Sequence, residues 1–253
     1  MVNVRPAARY AVVLIVLGLL WKLAAMALGG VILPDPEDAI RAFFAALPTR
    51  IFWEHFGVSA FRAVTGMVIA FGIAFPLGLV MGSVRRADAM LAPFIFLTYP
   101  IPKIVLLPVF LLLLGLGDAS KIAMIALILG YQILVTTRDG VRSIHPKYLD
   151  SVRSLGGSRL DVLREVLVPA ALPHGFTALR LGTGVSVAVL FFVESFATTR
   201  GLGYMIMDAW GAMDYLGMFV GIIGMSLMGA ALYELANVME RRVCRWMFLR
   251  KRM

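Results

Sequence analysis

Apolar runs long enough to cross a membrane recur along this chain, and no other feature constrains its fold as much. Stretches such as VVLIVLGLL and VLLPVFLLLLGLG offer no polar face to water. A helix of about 20 apolar residues crosses about 30 Å of hydrocarbon. The mean hydropathy of +0.88, with 15% charged residues, lies far from soluble proteins, where about 25% are charged. The fold class is therefore expected to be all-α, a polytopic membrane helical bundle.

Composition removes several kinds of chemistry. The single cysteine, Cys244, excludes an intramolecular disulfide framework and a multi-cysteine metal site. His55, His145 and His174 lie far apart and form no H-E-x-x-H pair, so no metal site is expected. No glycine-lysine dipeptide occurs, so the chain has no G-x-x-x-x-G-K-[ST] phosphate loop, and nucleotide energy would have to come from another chain. The net charge of +9 does not imply nucleic acid in so apolar a protein. Lysine and arginine collect on the cytoplasmic side of membrane proteins and set their orientation.

Six spans can be drawn: Ala8 to Leu28, Ser59 to Val84, Met90 to Leu114, Ile122 to Arg138, Pro173 to Thr199, and Tyr215 to Val238. The first imitates a signal peptide, with Arg5 and Arg9 before an apolar run and Ala25-Met26-Ala27 after it. That run exceeds the usual 7–15 residues, so a retained span is expected. Lys22 would extend to the outer interface. With six spans both termini share one side. Sixteen basic residues then fall on that side, twelve of them in the fourth-to-fifth connection and the tail, against four (Arg41, Arg50, Lys121, Arg200) on the other. This bias places both termini in the cytoplasm.

The second span carries small residues at every fourth position, Gly66, Ala70, Ala74, Gly78 and Gly82, on one face of a helix. Such a stripe lets a second backbone approach closely, which supplies association energy where lipid gives little hydrophobic drive. The third span is irregular: TYPIPKIVLLP holds Pro100, Pro102, Pro108 and Lys103. Prolines remove backbone donors. Broken backbone at membrane depth is tolerated where it is buried in protein or lines a wet cavity, so this piece is expected beside a pathway. Glu194, in LFFVESFATT, is an intramembrane carboxylate that needs a polar partner, either as a gate or as a structural link between helices. It and Lys103 are the two deep ionisable candidates. Residues 200–215 read as a short interfacial helix or a loop.

One segment, LDSVRSLGGSRLDVLREVLVPAALP, is charged and amphipathic instead. It predicts a helix over Lys147 to Leu155, a turn at Gly156-Gly157, and a second helix over Arg159 to Leu167 stopped by Pro169 and Pro173. Val152 and Leu155, then Leu160 and Leu163, form an apolar stripe that needs a surface to sit on.

At this point the chain resembles a known family, the membrane-spanning subunits of binding-protein-dependent ABC importers. The family signature is E-A-A, three residues, G, nine residues, then I-x-L-P. Here Asp150-Ser151-Val152, Gly156 and Val166-Leu167-Val168-Pro169 stand at the same spacing with different letters. The resemblance covers about residues 55 to 245, including SAFRAVTGMVIAFGIAFPLGLVMG, LTYPIPKIVLLPVFLLLLGLGDASK and FVESFATTRGLGYMI. Within the family it is nearer the nitrate, aliphatic sulfonate and taurine group.

The resemblance implies residues 1–253 as one transmembrane domain of the bacterial inner membrane. It implies a coupling helix with Asp150, Ser151, Val152, Arg153, Gly156 and Arg159 docking on a separate ATPase, and a motif end at Val166, Val168 and Pro169. It implies no catalytic group or cofactor in this chain, with ATP and Mg held by two ATPase copies. A periplasmic or lipid-anchored binding protein would deliver the solute, and a second permease copy would complete the pathway. Pro100, Pro102, Lys103 and Glu194 are the pathway or gate candidates. A rival reading is an ion-driven secondary carrier, which leaves the coupling signature unexplained; a membrane enzyme lacks a second catalytic group at a recognisable spacing.

Overall fold

A computed structural model describes residues 6–29, 33–196 and 198–249, and among them helices are the only regular elements. In chain order these are α1 (Pro6–Leu28), α2 (Pro36–Ala46), α3 (Arg50–Ser83) and α4 (Arg85–Thr98). A 3-10 turn (Lys103–Leu106) leads into α5 (Leu107–Leu114) and α6 (Asp118–Arg142). Then come α7 (Pro146–Ser154), α8 (Arg159–Val162), a π turn (Leu163–Leu167), α9 (Val168–Glu194), α10 (Leu202–Gly211), α11 (Tyr215–Val243) and α12 (Arg245–Leu249).

Among the described residues, four helices are long and apolar enough to cross a membrane: α3, α6, the continuous stretch Arg159–Glu194, and α11. The pair α4–α5, bent by 87°, supplies a fifth span if counted together. In α1, the expected first span, the described apolar stretch is Ile15–Leu28, shorter than those four.

The expected second span began too late. α3 starts at Arg50, where Thr49 accepts a hydrogen bond from the Phe52 N–H, and its 34 residues make a rod about 51 Å long. The fourth and sixth spans likewise extend to Asp118–Arg142 and Tyr215–Val243, while the fifth ends at Glu194 rather than Thr199. Acid–base composition explains part of this: Asp118 opens α6 and Arg142 closes it, each complementing the helix dipole at its own end.

α3 and α6 pack along each other more extensively than any other pair, and α9 packs against both of them. The small-residue stripe of α3 lies in this seam. A Cβ on Gly66 would meet Ile125 at 2.7 Å, on Gly78 the Leu134 carbonyl at 2.6 Å, and on Gly82 Val141 at 2.5 Å. Ala70 and Ala74 are buried between them. The core runs on through Met124, Ile125, Leu129 and Ile133 of α6 to Leu190 and Val193 of α9. α1 and α2 lie at one flank, where Lys22 bridges Asp35 at 3.1 Å and Glu37 at 3.0 Å and Trp21 stacks on Phe219 of α11. Glu37 is held below the usual carboxylate range, first by its own backbone N–H and then by Lys22.

Gly72 lies on the same helix as Gly78, but a Cβ there meets nothing within 4 Å. Gly78→Ala should therefore destabilise the protein by about 1–3 kcal/mol through overpacking, while Gly72→Ala should be neutral or stabilising. Thermal unfolding in detergent measures both; equal midpoints would contradict the seam.

Candidate functional site

Three places carry the chemistry: the connection between α6 and α9, the break between α4 and α5, and a polar cluster at the opposite end of the bundle from the connection.

The connection is built from local caps. His145 Nδ1 accepts from the Lys147 N–H at 3.2 Å to open α7. α7 closes with the Gly156 N–H on the Arg153 carbonyl and the Gly157 N–H on the Val152 carbonyl, both at 3.0 Å. That pair of bonds is the Schellman C-cap, which requires a left-handed residue. Gly156 supplies it at φ +81°, with nothing within 4 Å of a Cβ, so backbone freedom rather than close approach calls for glycine here. At Gly157 the reason is reversed: a Cβ would strike Val152 at 2.6 Å. Ser158 and Asp161 form a reciprocal capping box that opens α8.

The prolines do not stop the second helix, contrary to expectation. Pro169 sits in the first turn of α9 and Pro173 inside it, and the chain stays helical from Arg159 to Glu194. The turn just before them is widened: the Val168 N–H reaches the Leu163 carbonyl, five residues back. A π turn makes room where a proline ring would clash with the carbonyl four residues earlier. Val166 lies within this widened turn and Val168 directly after it, both half-buried. The connection is thus continuous with a spanning helix from Arg159 onward.

Asp150, Ser151, Arg153 and Arg159 are exposed on the connection. Arg153 lies 3.5 Å from Asp150, and Ser151 Oγ donates to the Lys147 carbonyl at 2.8 Å. Val152 is half-buried against the Gly157 turn, whereas Leu155 is 89% exposed at the tip, with Tyr148 and Leu160 also exposed. The expected stripe is thus only partly covered: Val152 packs on the Gly157 turn and Leu163 on the core, while Leu155 and Leu160 stay exposed among the described residues. Behind α7 lies a cavity of about 630 Å³ lined by Ser83, Arg85, Asp88, Arg142 and Arg153. Asp88 is clamped there by Arg138, at 2.9 Å from Nη2 and closer from Nε, and by Arg142, which ties α4 to α6.

At the break, Pro100 and Pro102 are exposed and the chain leaves α4 for the 3-10 turn. Lys103 closes the gap: its Nζ donates to the carbonyls of Thr98 (3.2 Å), Tyr99 (2.9 Å) and Ile101 (3.3 Å). The same ammonium stands 4.1 Å from the centre of the Tyr131 ring.

Glu194 is 1% exposed and accepts from three donors. Ser59 Oγ lies 2.9 and 2.7 Å from its two oxygens, Arg62 Nη1 donates at 2.8 Å, and the Gly203 N–H at 2.9 Å. Arg62 also donates to the Arg200 carbonyl at 2.8 Å and pairs with Asp118 at 2.7 Å. Lys121, fully buried, donates to the carbonyls of Leu116 (2.6 Å) and Gly117 (3.1 Å). Four helices, α3, α6, α9 and α10, are pinned together by these side chains. Gly201 (φ +121°) and Gly203 are pressed so closely on the Glu194 side chain that neither has room for a Cβ.

Sequence reasoning found Glu194 but missed its partners. Lys103 and Glu194 are not the sole deep ionisable groups: Arg62, Lys121 and Glu240 are buried too, and Glu240 pairs with the half-buried Arg180 at 2.9 Å. A signal existed. Arg62 interrupts an apolar helix three residues after Ser59, on the same face, and an arginine in a span calls for a carboxylate.

Residues 74–245 match the family described as the binding-protein-dependent transport system inner membrane component. The chain belongs to that family. It is a permease subunit of an ABC transport system, an inner-membrane component, and this membership favours the ATP-driven reading over an ion-driven carrier. It is 31% identical to the taurine transport system permease protein TauC of Escherichia coli (strain K12), over 89% of this chain and 84% of that one. It is 32% identical to the riboflavin transport system permease protein RibX of Chloroflexus aurantiacus, over 95% and 91%. A putative aliphatic sulfonates transport permease protein, SsuC of Bacillus subtilis (strain 168), is 27% identical over 85% and 78%. In fold the chain is similar to the inward-facing MetNI methionine ABC transporter (TM-score 0.62, 15% identity, covering 76% of this chain and 96% of that one). It is similar also to an amino acid ABC transporter crystallised with histidines (TM-score 0.59, 18% identity, covering 79% and 98%).

Removing one partner of a buried pair strands the other charge and costs about 3–5 kcal/mol. Arg62→Met should therefore lower the thermal midpoint sharply, and adding Glu194→Leu should restore part of the loss. Additive losses in the double variant would show that the two side chains do not depend on each other.

Proposed function

We propose that this chain forms the translocation pathway for a small organic anion of the taurine or alkanesulfonate type, driven by a separate ATPase that docks on the connection between α6 and α9. The observation that carries this reading is the exposed, rigidly capped turn around Gly156. Leu155 at its tip is 89% exposed, although its backbone is locked by the Schellman bonds and the Ser158–Asp161 box. Apolar side chains held rigidly in the open mark a protein contact. Asp150, Ser151, Val152, Arg153 and Arg159 would surround the seated tip.

Residues 1–253 act in this reading as one transmembrane domain with both termini and the connection in the cytoplasm. Two copies of the chain line one pathway, and two ATPase chains hold ATP and Mg. A periplasmic or lipid-anchored binding protein feeds the far end. ATP binding draws the ATPase pair together, and the connection, continuous with α9, passes that motion to the bundle. Pro100, Pro102 and Lys103 border the pathway, and the Glu194 cluster keeps the far ends of α3, α6, α9 and α10 in register. The relatives named for taurine and aliphatic sulfonates support a small sulfonate as solute.

Gly156→Val places a β-branched residue at φ +81° and should cut co-purification of the ATPase at least about tenfold, since strain at such a residue is of order 1–3 kcal/mol. Membrane insertion should be unchanged. Equal ATPase recovery from variant and parent would contradict the docking. Cys244 is buried, and burial pushes its thiol up to about 11, so Cys244→Ala gives a quiet background. In that background Arg153→Cys should crosslink to the ATPase; reproducible lack of an adduct would count against the same assignment. Taurine uptake into vesicles should require ATP and the ATPase chain.

A further inference from the structure

Lys103 presents an electrostatic problem that the fold does not solve by itself. Arg62, Arg138 and Arg180 each face a carboxylate: Glu194 and Asp118, Asp88, and Glu240 respectively. Lys103 makes no ion pair among the described residues. Its three donors are taken by the carbonyls of Thr98, Tyr99 and Ile101, and the rings of Tyr131 and Tyr99 lie 4.1 and 5.3 Å away. Carbonyl dipoles and π faces hold a cation in place, but they leave its full charge standing.

That charge borders a cavity of about 420 Å³, lined also by Tyr99, Tyr131, Gln132, Val185 and Val189. Tyr131 and Gln132 stand midway along α6, and Val185 and Val189 lie in the half of α9 nearer Glu194, so the cavity opens within the spanning part of the bundle, toward its Glu194 end. Gln132 is half-buried on the wall and makes no hydrogen bond among the described residues. An uncompensated ammonium, an amide with free hydrogen-bonding capacity and two apolar valines match a small amphiphilic anion. The head would take the charge and the amide, and the short carbon chain would lie on Val185 and Val189. The volume falls within the range of small-molecule sites.

We propose that this cavity is a solute subsite that selects for a singly charged oxyanion head, such as a sulfonate, through the fixed charge of Lys103 and the amide of Gln132. The inference rests on the permease reading and deepens it by placing the solute's head within this chain. Lys103 does not donate a hydrogen bond to the anion; it sets the potential. Lys103→Arg should therefore preserve selectivity if the charge stays, and Lys103→Gln should abolish it.

The test uses the full-length chain in membrane vesicles with Cys244→Ala and a reporter thiol, Val185→Cys. Three methanethiosulfonate reagents sharing a two-carbon chain are compared: anionic 2-sulfonatoethyl, cationic 2-(trimethylammonium)ethyl, and neutral 2-hydroxyethyl. The neutral reagent reports access and folding. The ratio of anionic to neutral rates reports the potential. Lys103→Gln should lower that ratio about tenfold, as loss of one unit charge a few Å away in a partly wet site implies, and Lys103→Arg should retain it. The cationic ratio should move the other way. In the protein that keeps Lys103, added ethanesulfonate should slow neutral labelling of Val185→Cys while choline does not. An unchanged anionic ratio in Lys103→Gln, no reaction of the thiol with the neutral reagent, or no protection by ethanesulfonate would each overturn the site. ATP-dependent taurine uptake separates the two readings: uptake with an unchanged ratio sinks the subsite alone, and a Lys103-dependent ratio without uptake sinks the taurine-type solute alone.

Discussion

In hydrocarbon, every backbone donor and acceptor that a helix end or break sets free must find a partner within the protein. The charged side chains inside this bundle are placed to meet that demand. Lys103 takes three carbonyls where α4 ends, and Lys121 takes two where α5 gives way to α6. Glu194 accepts the Gly203 N–H at the start of α10, Ser59 Oγ accepts the Leu202 N–H, and Arg62 donates to the Arg200 carbonyl. Breaks in the spans are thereby closed by side chains from neighbouring elements, which fixes where those elements sit.

Packing between the breaks follows a different rule. The seam of α3 and α6 has no room for a Cβ at Gly66, Gly78 or Gly82, so backbone meets backbone and dispersion does the work. The two ends of the bundle are then unlike each other. The far end is a dense polar network around Glu194, held because each buried charge there is either paired or hydrogen-bonded to backbone carbonyls. The other end carries a capped turn whose apolar tip, Leu155, is left uncovered by the described residues. Past that turn the helix restarts at Arg159, and the widened turn at Leu163–Leu167 lets it run on into α9 despite Pro169 and Pro173.

Much of this was legible in the sequence because the signals are periodic. Apolar runs gave the helices, the five-member small-residue stripe gave the seam of α3, and the spacing from Asp150 through Gly156 to Pro169 gave the connection and its family. Contacts made across long separations were not legible. Glu194 announces that it needs a partner, but nothing local says that the partner is Arg62, 132 residues away. The prolines misled for a related reason. Pro169 and Pro173 read as stops because each lacks a donor, yet the π turn before them absorbs the clash, and no residue pattern there marks such a turn. Span ends were also misjudged, since helices such as α3 run on past the apolar stretch once a cap like Thr49 is available.

The tight seam, the patched breaks and the unbroken helix from Arg159 to Glu194 are what the proposed coupling requires: a bundle that would move in blocks, worked from the end that carries Gly156. The most direct measurement is the distance between spin labels at Arg153→Cys on the two permease copies of an assembled complex in lipid nanodiscs, by double electron–electron resonance. The account predicts a clear shortening when ATP is bound by a hydrolysis-deficient ATPase. The same distance distribution with and without nucleotide would contradict it.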